Sequence, residues 1–152
     1  MVVSEDKTKR VLKFKDGIYT GDINDNVPHG KGVYVRHEGG SHDGYWSNGL
    51  PDGEGVVHYK GGEYYEGNFR KGRREGHGLY KCKDYTYDGE WVNGKMEGNG
   101  NLRWEDGRSY KGEIAENKFH GKGYYTYSDG KVYEGNFRHG KKHGKGIITF
   151  PD

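Results

Sequence analysis

Glycine returns along this chain on a fixed period, and that period decides what the chain can fold into. Counted from the lead residue of a Tyr-x-Gly-x-(Trp/Phe) pattern, copies start at Tyr19, His42, Tyr65, Tyr87, Tyr110 and Tyr133, 22 or 23 residues apart. Position +2 is glycine in every copy, from Gly21 to Gly135, and so are +11 and +13, from Gly30 and Gly32 to Gly144 and Gly146. Position +7 is Gly49, Gly72, Gly94 or Gly140, with Asn26 and Asn117 in the other two copies. Asn is the usual substitute where φ is positive. Position +20 is Gly39, Gly62, Gly107 or Gly130, and Gly17 fills the same slot in a half copy at the start. Only Gly40 and Gly61 fall outside this register. Self-similarity at a period of roughly 20 to 50 residues marks a repeat architecture.

Each copy reads as a β-hairpin. Residues 0 to +5 alternate large and polar, and so do +13 to +17. Period-2 alternation on both sides of a glycine-rich segment predicts two strands, closing between +6 and +12. A second turn, Asp106-Gly107 or Asp129-Gly130, joins one hairpin to the next. Nothing has helical periodicity, and the chain holds three prolines. The fold class is all-β: a continuous single-layer antiparallel meander of about 12 strands, plus one at residues 11–14, roughly 60 Å long at ~4.8 Å per strand. Residues 1–10 form a polar leader and residues 11–152 the repeat domain.

The apolar supply suits a thin sheet. Val, Leu, Ile and Phe make up 24 of the 152 residues, too few for a thick aliphatic core, while aromatics reach 14%. Rings at 0, +4, +15 and +17 are expected to stack on one face, with +4 near +15 and +2 near +17. The +2 glycine then lets the cross-strand ring lie over the backbone. The groove expected from this pattern is formed by Tyr19, Trp46, Tyr65, Phe69, Tyr80, Tyr87, Trp91, Trp104, Tyr110, Tyr125, Tyr133 and Phe137. Part of Trp46, Phe69, Trp91 and Phe137 is expected to stay reachable by a partner. The other face, with Asp22, Glu66, Asn68, Glu90, Glu113 and Asn136, is expected to be solvated.

Tyr65-Glu66-Gly67-Asn68-Phe69-Arg70-Lys71-Gly72, Tyr133-Glu134-Gly135-Asn136-Phe137-Arg138-His139-Gly140 and His143-Gly144-Lys145-Gly146 resemble MORN (membrane occupation and recognition nexus) repeats. The resemblance covers residues 11 to 152. It implies an elongated, twisted, single-sheet solenoid with an aromatic groove and a role in protein assembly, with a membrane role claimed for some members. The departures are His42 at a lead position, Ile23 and Ile114 at +4, and Tyr85 where the third copy lacks its +20 glycine.

No catalytic set, cofactor site or metal site is expected. His29, His120 and His143 all stand at +10, and equivalent positions even in successive hairpins lie about 10 Å apart, too far for one ion with ~2 Å bonds. Cys82 replaces a ring at +17 and is expected to be an inert packed thiol. Gly-x-Gly recurs without a following helix, so no phosphate cradle of the P-loop kind is implied. A net charge of +2 gives no strong field for nucleic acid. Arg70, Lys71, Arg73 and Arg74, with Arg138, Lys141, Lys142 and Lys145, form a candidate anionic-lipid edge, weighed against plain solvation of a sheet rim.

The expected function is a non-catalytic protein-interaction scaffold taking an extended or helical partner segment in the groove. The alternatives are a peripheral module on anionic membrane or a regulatory repeat module of a larger enzyme. Edge strands at both ends suggest a homodimer, end-to-end association or a longer array. One cysteine, a leader without an apolar stretch and no run of about 20 apolar residues point inside the cell. A cytoplasmic, cytoskeletal or ciliary setting comes from the resemblance alone.

Overall fold

Among the described residues, the alternation of large and polar residues yields thirteen antiparallel strands and no helix. The structure is a computed structural model and describes residues 9–152. Most of the leader expected at residues 1–10 lies outside the described residues, and the first strand begins within its last two positions.

The chain divides into two compact units, residues 1–73 and 74–152. The first holds β1 (Lys9–Lys13), β2 (Gly17–Asn24), β3 (Val27–Arg36), β4 (Ser41–Ser47), β5 (Leu50–His58) and β6 (Tyr64–Arg70). The second holds β7 (Arg73–Lys81), which starts at the boundary, β8 (Tyr85–Val92), β9 (Lys95–Trp104), β10 (Ser109–Ala115), β11 (Lys118–Thr126), β12 (Val132–Arg138) and β13 (Lys141–Thr149). Within each unit every strand pairs antiparallel with its chain neighbours, without a crossover. This is the hairpin array that the repeat predicts.

The hairpins close on two residues, not on the whole segment from +6 to +12. Both residues are left-handed: Asn48 (φ 51°) and Gly49 (86°), Asn93 (50°) and Gly94 (83°), Glu116 (48°) and Asn117 (66°). That is the type I′ pattern, whose twist matches that of the flanking strands. The segment from +8 to +12 is strand, made possible by a bulge. Between the pairs Gly112↔Gly123 and Ile114↔Phe119, the single residue Glu113 of β10 faces His120, Gly121 and Lys122 of β11. The +11 glycine carries the necessary positive φ, 60° at Gly121 and 84° at Gly98. The carboxylate at +3 then accepts the backbone N–H at +12: Lys122 to Glu113 at 2.6 Å, Asn99 to Glu90 at 2.6 Å and Lys31 to Asp22 at 3.2 Å. Part of the solvated face is therefore structural.

The bulge also sets the register, which differs from expectation. Position +2 pairs with +13 and the lead residue with +15, as in Gly21↔Gly32 and Tyr19↔Tyr34. In the second unit Gly78, Gly89, Gly100, Gly112, Gly123, Gly135 and Gly146 thus face one another from strand to strand. The ring over this row is the lead tyrosine, which reaches across to the +13 glycine of the next strand, and not the ring at +17. A Cβ on Gly32, Gly100, Gly123 or Gly146 would overlap Tyr19, Tyr87, Tyr110 or Tyr133. Each lead hydroxyl reaches three residues ahead and donates to a carbonyl: Tyr19 to Asp22 at 2.6 Å, Tyr65 to Asn68 at 3.0 Å, Tyr87 to Glu90 at 2.8 Å, Tyr110 to Glu113 at 2.6 Å and Tyr133 to Asn136 at 3.2 Å. Burial pushes Tyr19 and Tyr110 up to about 12, so both remain protonated donors.

The +4 side chains pack edge-on against the lead rings, Tyr65–Phe69 at 5.1 Å, Tyr87–Trp91 at 5.2 Å and Tyr133–Phe137 at 5.3 Å between centroids. Such pairs contribute about 1 kcal/mol each beyond their buried area. Rings packed on one face of the sheet are the core in both units.

Candidate interaction face

Burial divides the expected groove residues into two sets. Tyr19, Tyr65, Tyr87, Tyr110 and Tyr133 are sealed over the glycine rows at 0–5% exposure. Trp46, Phe69, Trp91 and Phe137, expected to stay reachable, are 4–8% exposed. The indole N–H groups of Trp46 and Trp91 are bound to the Gly32 and Gly78 carbonyls at 3.0 and 3.2 Å. These nine side chains hold the sheet. Tyr80, Trp104 and Tyr125 are half-buried and keep a surface.

In the second unit those three belong to a longer run of rings. Tyr80 meets Tyr85 at 5.9 Å, Tyr85 meets Trp104 at 6.5 Å, Trp104 meets Tyr125 at 6.3 Å, and Tyr125 meets Tyr127 at 4.9 Å. The loops between hairpins build it. The N–H at +17 binds the carbonyl two residues before the next lead position: Trp104 to Arg108 at 2.9 Å and Tyr127 to Lys131 at 2.8 Å. That closure folds the cation back over the ring, with Arg108 at 4.9 Å from the Trp104 centroid and Lys131 at 4.7 Å from that of Tyr127. The third copy is one residue shorter, and its loop closes by Cys82 N–H to Tyr85 at 3.0 Å. The shorter loop uses no left-handed residue between them, which accounts for the missing glycine, and it puts Tyr85 where Arg108 and Lys131 stand in later copies.

Phe119 completes the run, and the sequence pattern did not single it out. It stands at +9, opposite Ile114, and stacks on Tyr110 at 3.9 Å and 10°. A ring on the second strand thus substitutes for the ring that the fifth copy lacks at +4. Position +9 shares parity with +13, +15 and +17, the signal that would have exposed it once the strand is known to run through +8 to +12. The same position carries Arg74, over Tyr80 and Trp91 at 4.7 and 4.8 Å, and Lys142, over Tyr127 and Tyr133 at 4.8 and 4.9 Å.

The ring face of the first unit carries Tyr34 and Phe14. Tyr34 donates a hydrogen bond to Asp16, and Arg36 pairs with the same carboxylate at 3.1 Å. The Tyr34 hydrogen bond, aided by Arg36, holds the Asp16 carboxyl below its usual range. Phe14, 43% exposed, leans on Tyr34 at 5.9 Å.

The residues of the candidate lipid edge fall in different places. Arg70, Lys71 and Arg73 flank an exposed turn of the first unit, and Lys71 lends its N–H to Asp52 at 3.2 Å. In the second unit Arg138 and Lys141 pair across the last hairpin, Arg74 and Lys142 sit on the ring face, and Lys145 lines a depression on the other face with Lys122, Tyr124 and Glu134. Position +10 has a definite role. His29 Nδ1, Asp52, Glu75 and Glu97 each accept the N–H at the first turn residue of the next hairpin, at 2.8–3.2 Å. The Cys82 thiol faces the Tyr85 carbonyl at 3.6 Å. Among the described residues, no group of three or more His, Cys, Asp or Glu side chains is placed to hold a metal.

The MORN-repeat family model matches the chain six times, at residues 19–41, 42–64, 65–86, 87–107, 110–132 and 133–152. These matches start at the six lead positions. No curated protein matches the chain in sequence. Among solved structures, the SAS-4 (dCPAP) TCP domain in complex with a proline-rich motif of Ana2 (dSTIL), from Drosophila melanogaster, is similar over 90% of this chain and 70% of that one, at 12% identity and a TM-score of 0.46.

Proposed function

The chain belongs to the MORN-repeat family, and from that premise we propose that it is a non-catalytic scaffold that binds an extended or helical segment of a partner protein on the ring face of its second unit. The observation that carries this reading is the half-exposed run from Tyr80 through Tyr85, Trp104 and Tyr125 to Tyr127, edged by Arg74, Arg108 and Lys131. Half-exposed rings held in place by their neighbours form rigid, amphipathic anchors, the type that dominates binding energy at interfaces. A cytoskeletal or ciliary setting accompanies this proposal on family grounds. The lipid-edge alternative has less support, because Arg74 and Lys142 lie over rings and Lys145 faces away from them.

The test is capture of partners by the full 152-residue chain beside a Trp104→Ala/Tyr127→Ala variant with unchanged circular dichroism. Proteins held by the first and lost by the second support the ring face. A partner set held equally by both removes it. Binding of anionic liposomes by both, with no protein retained, transfers the proposal to the basic residues.

A further inference from the structure

We infer that the occupant of the second unit's ring face is a polyproline II segment with an acidic flank; this deepens the scaffold reading and rests on it. Three observations converge. The first is pitch. Trp104 and Tyr127 occupy the same +17 position in successive hairpins, two strands apart, so the face repeats about every 9.6 Å. A polyproline II helix repeats every three residues, about 9.3 Å. Every third residue of such a segment therefore meets an equivalent ring site without stretching. A β-strand or an α-helix laid along the same direction has no such match, at about 6.7 and 5.4 Å per repeat.

The second observation is an unused donor. The other two indoles bind glycine carbonyls at 3.0 and 3.2 Å, whereas the Trp104 N–H has no partner among the described residues and lies on the half-exposed face. A polyproline II chain has no internal hydrogen bonds, so its carbonyls are free to accept. Aromatic strips with such a donor are the standard surface for that conformation.

The third is charge. Arg108 and Lys131 are balanced by Asp106 and Asp129, at 2.8 and 3.8 Å. Lys142 lies over Tyr127 and has no carboxylate partner among the described residues. An acidic residue just beyond the prolines would meet this ammonium.

The probes are two fluorescein-labelled peptides, ten prolines followed by two glutamates and a Gly/Ser peptide of equal length with the same glutamates. The readouts are anisotropy and the Trp104 indole N–H resonance of the full chain. The proline peptide is expected to shift that resonance and to bind about tenfold more tightly than the control, because the flexible control loses more conformational entropy on binding. Trp104→Phe, which keeps a ring and drops the donor, should weaken binding about fivefold, the worth of one hydrogen bond. Equal binding of the two peptides, or an unmoved Trp104 resonance, overturns the inference. A captured partner that needs Trp104 but is not displaced by the proline peptide also overturns it, while leaving the scaffold reading intact. A partner set indifferent to Trp104 overturns both.

Discussion

Tyr87 packs against Gly100, so closely that a methyl group on that α-carbon would overlap the ring. The contact couples the two strands of one hairpin through a residue that has no side chain. It recurs in Tyr19 on Gly32, Tyr110 on Gly123 and Tyr133 on Gly146. Gly100→Ala should therefore cost about 3 kcal/mol, the upper end for overpacking a rigid site. Gly94→Ala, with φ 83° and nothing within 4 Å of a new Cβ, should cost only about 1 kcal/mol of backbone strain. Guanidinium unfolding followed by tryptophan fluorescence separates the two. Equal losses would mean that the ring does not fill the space over the glycine.

His42 occupies the lead position of the second copy and is too short for the task done there. It is 8% exposed, its Nε2 is buried without a partner, and Trp46 and Phe69 enclose its ring at 4.9 and 4.7 Å. His42→Tyr should restore the hydroxyl-to-carbonyl bond found in the other copies and stabilise the protein by about 1–2 kcal/mol. Burial holds the His42 imidazole down at about 4, against an ordinary 6.5. Between those values the unfolded chain binds the extra proton, so wild-type stability should rise with pH from about 4 to 6.5 and then level off. The tyrosine variant should lose that part of the slope. Unfolding midpoints at pH 4.5, 5.5 and 7 for both proteins measure it. A variant with the same pH slope as wild type would refute the assignment.

The spacing of glycines made the hairpins, their number and the ring-bearing face legible, because each has a one-residue rule behind it. The turn was misplaced because glycine at +11 looks the same in a loop as in a bulge. Only pairing reveals that Glu113 faces three residues of the opposite strand. From that one misreading came the wrong register. Arg74 and Lys142 read as surface charge because their long stems, which cover rings, are indistinguishable in sequence from stems that do not. Tyr85 entered the face through a loop one residue short, and a departure from the pattern carries no sign of its consequence.

Phe119 and Ile114 should behave as one unit. Phe119→Ala removes the ring stacked on Tyr110 and packed on Phe137 at 5.5 Å, and should cost about 2–3 kcal/mol for a half-buried phenylalanine. Ile114→Phe placed in that background puts a ring back at +4, as in the third and sixth copies, and should recover at least about 1 kcal/mol. In the wild-type background the same change overfills the site and should destabilise. Denaturation of the four proteins completes the cycle. Additive effects would show that the two positions do not share one space.

Glu75 links one hairpin to the next, since its carboxylate accepts the Asn93 N–H at 2.8 Å in the following turn. Glu97 does the same for Glu116 at 2.9 Å. Arrays of repeats are held by such nearest-neighbour terms in addition to the stability of each repeat. Glu75→Ala should release one exposed backbone donor to water and cost about 0.5–1 kcal/mol. The expected signature is local: faster amide exchange at Asn93, with protection at Asn117 in the next turn unchanged. Glu75→Gln keeps an acceptor oxygen and should restore most of the protection, because the link needs a lone pair and not a charge. Faster exchange in both turns would mean that the hairpins open together, so that +10 couples the whole unit and not one neighbour.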